Sequence, residues 1–347
     1  MIATIYPSLI QGSIRSPRSK SDMQRACAAA LLREGITTIV DPGRSNDDLA
    51  ALDVIAKLGA VVQDCGDKII VTSNGVQPHQ NEINCGESGL SIRMFTPIAA
   101  LSSAALTISG KGSLVNRPMD FFDEIFPQLG IAVSTQSGKL PLHVKGPLVP
   151  KNIVVDGSLS SQFLTGLLMA FSAINAKDVT IEVRDLKSKP YIDLTLRVLK
   201  DFGMKVPVVE NHEFFAFSAD DHSQPKGDFS YEVEGDWSGA AFLFVAGAIN
   251  NPIVIEGMRS DSVQADMKIL EAIKDAGALL SQEGNRYKVA PASLHAFEFD
   301  ATECPDLFPP LVALAAYCKG VTKIKGVNRL IHKESNRGLT LQDVFGK

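Results

Sequence analysis

At 347 residues, with 45% hydrophobic and 21% charged side chains, the chain has the composition of a soluble globular protein and a length that suits two domains better than one core. A formal net charge of -5 gives no global electrostatic support to a nucleic-acid or anionic-membrane partner, so any basic cluster is a placed feature. Five scattered cysteines (Cys27, Cys65, Cys85, Cys304, Cys318) with no C-x-x-C pair argue against a zinc site or a disulfide framework and for a reducing compartment.

In chain order, Met1 to Gln11 lacks the basic and apolar regions of a signal peptide, and no apolar stretch, Phe163 to Ile174 included, is long enough to span a bilayer. The expectation is a cytoplasmic protein. An internal repeat then dominates the sequence. Five times, small, polar or acidic residues precede an apolar helical run and then a β-rich run. The openings are Ser19-Lys20-Ser21, Gly86-Glu87-Ser88-Gly89, Gly157 to Ser161, Gly235 to Gly239 and Glu303 to Asp306. Short side-chain oxygens there suit helix N-caps.

The spacing predicts helices over Ala26–Leu32, Ile92–Leu101, Phe163–Ile174, Ala240–Ile249 and Leu311–Tyr317. Strands are predicted at Thr37–Val40, Ala105–Ile108, Val179–Val183, Ile253–Ile255 and Val321–Ile324. Second, amphipathic helices ending at glycine are predicted over Leu49–Gly59, Phe121–Gly130, Ile192–Gly203 and Ala265–Gly277. A fifth second helix starts near Leu339. Five copies, the last broken off, imply a missing sixth copy unless an odd number is natural here.

Repeated helix N-termini carry free N–H donors and a partial positive charge, so a fold that gathers them can hold strongly anionic substrates. Lys20 and Arg25 could bracket one anion from a first turn, or simply be a solvated helix start. Arg93 lies inside the apolar run Ile92-Arg93-Met94-Phe95 and needs either a structural carboxylate or a bound anion. Arg117 sits in a loop between strand and helix, Ser158 to Gln162 supply more hydroxyls than capping requires, and Lys187-Ser188-Lys189-Pro190-Tyr191 ends a strand with two cations. Asp306 opens the fifth helix, with Lys333, Glu334 and Arg337 beyond it; an exposed Lys333–Glu334 pair alone would mean little. No P-loop, dinucleotide turn, nucleophile elbow or metal-ligand cluster is present in the sequence, which disfavours nucleotide, nicotinamide and zinc chemistry.

Pro17-Arg18-Ser19-Lys20-Ser21 with Arg25 resembles the P-G-S-K-S…R opening of EPSP synthases, the 3-phosphoshikimate 1-carboxyvinyltransferases. Asp156 to Phe163, Ser188-Lys189-Pro190-Tyr191-Ile192-Asp193, Val233 to Asp236, Pro305-Asp306 and Lys333 to Arg337 are similar to further signatures of that family, in order and at matching intervals. The S-S-Q-F and S-K-P-Y motifs are not expected in the sister UDP-N-acetylglucosamine transferases, which share the repeat fold.

The resemblance implies an α/β fold, a two-domain inverse α/β barrel of repeated βαβαββ units with the last unit missing. One domain would span 17–230, and the other 1–16 with 231–347, with substrates in the cleft between them. It implies enolpyruvyl transfer from phosphoenolpyruvate to the 5-hydroxyl of shikimate 3-phosphate, with no metal or organic cofactor, in a monomer. Asp306 would be the base and Glu334 the acid, with Lys20 the third catalytic residue. Lys20, Arg117, Gln162 and Arg337 would hold phosphoenolpyruvate, with Arg93 nearby and Gly89 leaving room. Ser21, Arg25, Ser160, Ser161, Gln162, Ser188, Asp306 and Lys333 would hold shikimate 3-phosphate, with Tyr191 beside its ring and Lys20 reaching both substrates. Glu87-Ser88-Gly89-Leu90 departs from the family's N-A-G-T, and the D-H-R segment of the sixth unit has no counterpart. The alternative is a homologue that binds shikimate 3-phosphate without turnover.

Overall fold

The computed structural model describes residues 4, 6, 9–158, 160–222, 225–331 and 335–346. The chain divides into two compact units, Lys20–Val233 and a smaller one made of Met1–Ser19 with Glu234–Lys347. β1 (Gly12–Arg15) belongs to the smaller unit, and the chain then enters the larger one through α1 (Lys20–Leu32).

The larger unit repeats one pattern three times. The first copy continues through β2 (Gly35–Val40), α2 (Asn46–Lys57), β3 (Val61–Asp64) and β4 (Lys68–Ser73). The second runs β5 (Glu82–Asn84), α3 (Gly89–Ala99), β6 (Ala105–Ser109), α4 (Phe121–Ile125), β7 (Ala132–Ser134) and β8 (Leu142–Lys145). The third runs β9 (Ile153–Asp156), α5 (Gln162–Ala173), β10 (Val179–Arg184), α6 (Lys189–Asp201), β11 (Val208–Glu210) and β12 (Phe214–Phe217). Each βαβαββ copy folds into a four-stranded sheet: β9 pairs parallel with β10, which pairs antiparallel with β12, which pairs antiparallel with β11. The first copy has no strand before α1 of its own in this unit. β13 (Phe229–Glu232) fills the place, parallel to β2 with Tyr231 opposite Ile39.

The opening helices form the core. α3 is buried along its whole length, polar residues Ser91, Arg93 and Thr96 included, and α1 and α5 are nearly so. α3 and α5 cross so closely that a Cβ on Gly166 would lie 2.5 Å from the Met94 carbonyl oxygen and 2.9 Å from that of Arg93. Pro97, inside α3, has no N–H for that Arg93 carbonyl.

The predicted second helices are present, and their closing glycines (Gly59, Gly130, Gly203, Gly277) all have positive φ. Two of the second helices are not continuous. α4 gives way to a 3-10 turn over Phe126–Leu129, because Pro127 removes a helical donor and its ring crowds the carbonyl four residues back. Ala265–Lys268 is likewise a 3-10 turn ahead of a short helix.

In the smaller unit, α7 (Trp237–Ile249), β14 (Ile253–Glu256), α8 (Ile269–Asp275), β15 (Leu279–Glu283) and β16 (Arg286–Ala290) give a sheet of order β1-β14-β16-β15. Trp237, Phe244 and Tyr287 pack as its aromatic centre. β17 (Glu298–Asp300), α9 (Phe308–Ala315), β18 (Lys323–Lys325) and α10 (Arg337–Phe345) begin a further copy, with β17 parallel to β18. The strand expected at Val321–Ile324 thus starts two residues late. Among the described residues, no helix is long and apolar enough to cross a membrane.

Candidate active site

In the larger unit, cations converge on the first turn of α3. Ser88 caps it, its hydroxyl accepting from the Ser91 N–H at 3.1 Å. Gly89 follows, and a Cβ there would lie 2.6 Å from Arg117 Nη1 and 3.0 Å from Arg93 Nη1. Two guanidinium groups therefore press on one glycine at a helix N-terminus. Arg93 donates to Gln162 Oε1 (3.0 Å), Gly89 O (3.4 Å) and Pro118 O (3.5 Å), all neutral oxygens, and lies over the Phe121 ring. Its Nε is buried without a hydrogen-bond partner. Burial and then the positive charge of Arg117 push its pKa down to about 10, which still leaves it charged at neutral pH. A structural carboxylate, one of the two partners the sequence allows for Arg93, is not among these bonds.

A second cluster gathers α1, α5 and α6. Arg25 is wholly buried, donating to Thr195 Oγ1 (2.9 Å), Ser21 O (2.7 Å), Thr165 Oγ1 (3.4 Å) and Tyr191 O (3.0 Å). Desolvation lowers its pKa to about 10 against the raising influence of Asp22. Asp22 itself, also wholly buried, accepts from the Tyr231 hydroxyl at 2.6 Å. Lys20 is exposed and pairs with Asp47 of α2 at 3.0 Å. Lys20 and Arg25, which the sequence allows to bracket one anion, thus have separate surroundings in this structure. Ser160 Oγ accepts from the Gln162 N–H, and Ser161 makes no side-chain cap bond. Ser188, at φ 58°, begins α6 and also makes no cap bond, so capping does not explain either hydroxyl.

In the smaller unit, Asp306 lies in a 3-10 turn over Pro305–Leu307, and its Oδ1 accepts from Arg337 Nη1 at 2.5 Å. Arg337 is the first residue of α10, which Asn336 caps through the Leu339 N–H. Lys333 and Glu334 lie outside the described residues. Among the described residues, no three His, Cys, Asp or Glu side chains come together as metal ligands.

A profile of the EPSP synthase (3-phosphoshikimate 1-carboxyvinyltransferase) family matches residues 6–345. The chain belongs to the EPSP synthase family. A 3-phosphoshikimate 1-carboxyvinyltransferase of Clostridium beijerinckii is 34% identical over 343 residues, covering 96% of this chain and 78% of the relative. One from Clostridioides difficile is 33% identical with the same coverage. The fold matches that of an EPSP synthase from Acinetobacter baumannii with a TM-score of 0.79 at 21% identity, covering 96% of this chain and 78% of that one. It also matches the enolpyruvyl transferase NikO of Streptomyces tendae with a TM-score of 0.70 at 16% identity, covering 91% of this chain and 75% of the other. The enolpyruvyl transferase fold that the resemblance implies is thus the observed one.

Sequence reasoning on this member of the EPSP synthase family passed over the polar residues that contact the candidate residues. Thr165, Thr195, Gln24 and Ser91 are all buried at helix–helix contacts. Thr165 alone lay inside a predicted apolar run, where its polarity was the kind of signal that singled out Arg93.

Proposed function

We propose that this chain transfers the enolpyruvyl group of phosphoenolpyruvate to the 5-hydroxyl of shikimate 3-phosphate and releases phosphate. Family membership supports the reading, and the observation that carries it is the Arg93–Arg117 pair against Gly89 and Gln162. Two like charges are held together, with one of them buried and bonded to neutral oxygens, where a small dianion or trianion would complete them. Relatives named for the transfer give the binding-only alternative no support.

In this reading Lys20, Arg117, Gln162 and Arg337 hold phosphoenolpyruvate, with Arg93 beside them and Gly89 leaving space for it. Ser21, Arg25, Ser160, Ser161, Gln162, Ser188 and Lys333 hold shikimate 3-phosphate, with Tyr191 along its ring. Asp306 accepts the proton of the 5-hydroxyl as its oxygen bonds to C2 of phosphoenolpyruvate, and Glu334 supplies a proton to C3. The tetrahedral adduct then breaks its C2–O bond to phosphate, and C3 gives a proton back to restore the double bond. The cations neutralise the phosphate oxygens as charge gathers on them, each charge-assisted bond contributing about 1.5–3 kcal/mol. Because Asp306 accepts from Arg337 in this structure, the base role calls for its other oxygen or a parting of the pair. The test is release of inorganic phosphate from phosphoenolpyruvate that depends on shikimate 3-phosphate; absence of release with both substrates present overturns the proposal.

A further inference from the structure

Gln24 is wholly buried in α1, and its side chain reaches α3. Its Oε1 accepts from the hydroxyls of Ser88 and Ser91, each at 2.8 Å. Its Nε2 is buried with no hydrogen-bond partner, so only the oxygen end is held. A hydroxyl has one proton and two lone pairs. The Ser88 proton goes to Gln24, and a lone pair of the same oxygen accepts the Ser91 N–H that starts α3. Donating the proton makes that oxygen a better acceptor, so the tether and the cap strengthen one another.

The next residue is Gly89, whose backbone is the floor under Arg117 Nη1 and Arg93 Nη1. The residue before Ser88 gives no comparable hold, because Glu87 is exposed. Leaving an amide N–H unpaired in the core is unfavourable, so what this side chain contributes lies in its doubly occupied oxygen, which fixes position between two helices.

We infer that Gln24 is a positioning residue: through Ser88 and Ser91 it fixes the first turn of α3 against α1, and so sets the space between Gly89 and the two guanidinium groups. The inference rests on the proposed function for its substrate, since the anion held in that space is taken to be phosphoenolpyruvate. α1 also carries Lys20, Ser21 and Arg25, so the tether joins the helix with the shikimate 3-phosphate candidates to the turn beneath the Arg93–Arg117 pair.

The experiment replaces Gln24 by methionine, which keeps length and volume but loses the acceptor. Expected is a rise in KM for phosphoenolpyruvate on the order of tenfold, with KM for shikimate 3-phosphate changed by less than about twofold. Backbone amide exchange in the first turn of α3 rises as well. In a Ser88→Ala/Ser91→Ala background, Gln24→Met adds nothing further, because the tether is already cut. Equal rises in both KM values with a general loss of melting temperature overturn the inference in favour of ordinary packing. So does an effect that adds fully to that of the serine changes. Should Gln24→Met not fold, Ser91→Ala removes one donor and leaves the cap; a smaller rise of the same sign is expected, and unchanged KM with unchanged exchange refutes the tether. If the unaltered chain shows no turnover, the proposed function has failed, and amide exchange alone decides whether Gln24 fixes the turn.

Discussion

Gly89→Ala adds one methyl group at the point where two guanidinium groups meet the start of α3. The new carbon would lie 2.6 Å from Arg117 Nη1, so that atom must retreat by about 0.8 Å to reach ordinary contact at 3.4 Å, and Arg93 Nη1 by about half as much from 3.0 Å. Both obstacles are ends of flexible side chains, and the Gly89 backbone lies outside the left-handed region, so the fold accommodates alanine. A helix also favours alanine over glycine by up to about 1 kcal/mol, so the melting temperature should hold or rise slightly. The cost falls on the anion. Displacing one guanidinium forfeits one charge-assisted hydrogen bond, about 1.5–3 kcal/mol, which is roughly a 10- to 150-fold rise in KM for phosphoenolpyruvate. KM for shikimate 3-phosphate should move little. Initial rates of phosphate release, with each substrate varied in turn, measure both. An unchanged KM for phosphoenolpyruvate with intact folding would refute the placement of that substrate against Gly89.

Two further outcomes follow from the buried arginines. Arg25→Met leaves Thr195, Thr165 and two carbonyls without the guanidinium that links α1, α5 and α6, and should cost about 2–3 kcal/mol in urea unfolding while abolishing shikimate 3-phosphate binding by calorimetry. For Arg93 the folded pKa of about 10 lies below the ordinary 12.5, so the unfolded chain binds the extra proton in that window. Burial of its charge is thus a penalty below pH 10, relieved as pH rises. A bound anion needs that charge, so affinity for phosphoenolpyruvate should be full below about pH 9 and fall as pH passes 10. Arg93→Met should bind weakly and lose this limb of the profile.

Much of the fold could be read from the chain because each repeat announces itself with local chemistry. Ser88 and Asp236 cap their helices as short oxygen side chains should, and glycines close the second helices with positive φ. Reading failed at two single residues, one acting on its own backbone and one through tertiary contact. Pro127 turns the end of a predicted helix into a 3-10 turn, and Gly166, featureless inside an apolar run, is what brings α5 onto the Arg93 carbonyl. At the site, Arg93 stood out as a charge in an apolar segment, but the likeness of charge beside it did not. The proximity of Arg117 depends on a loop 24 residues further on that only the fold brings back. Arg25 could be read as an anion ligand or as a solvated cation of a helix start, whereas α5 and α6 enclose it completely.

The sheet that begins with α1 and β2 is completed by β13, whose residues 229–232 come almost 190 positions after Val40. β1 waits still longer, for β14 at Ile253–Glu256. On a ribosome adding about 5–20 residues per second, the first sheet lacks its parallel edge strand for roughly 10–40 s after β2 has emerged. During that interval Ile39 and its neighbours present an unpaired edge that any extended segment can occupy. The second and third repeats carry all their strands in sequence and have no such delay. The order of synthesis therefore makes the stretch that carries Lys20, Ser21 and Arg25 the last of the three to be locked, and Tyr231, arriving in β13 with its bond to Asp22, is the latch.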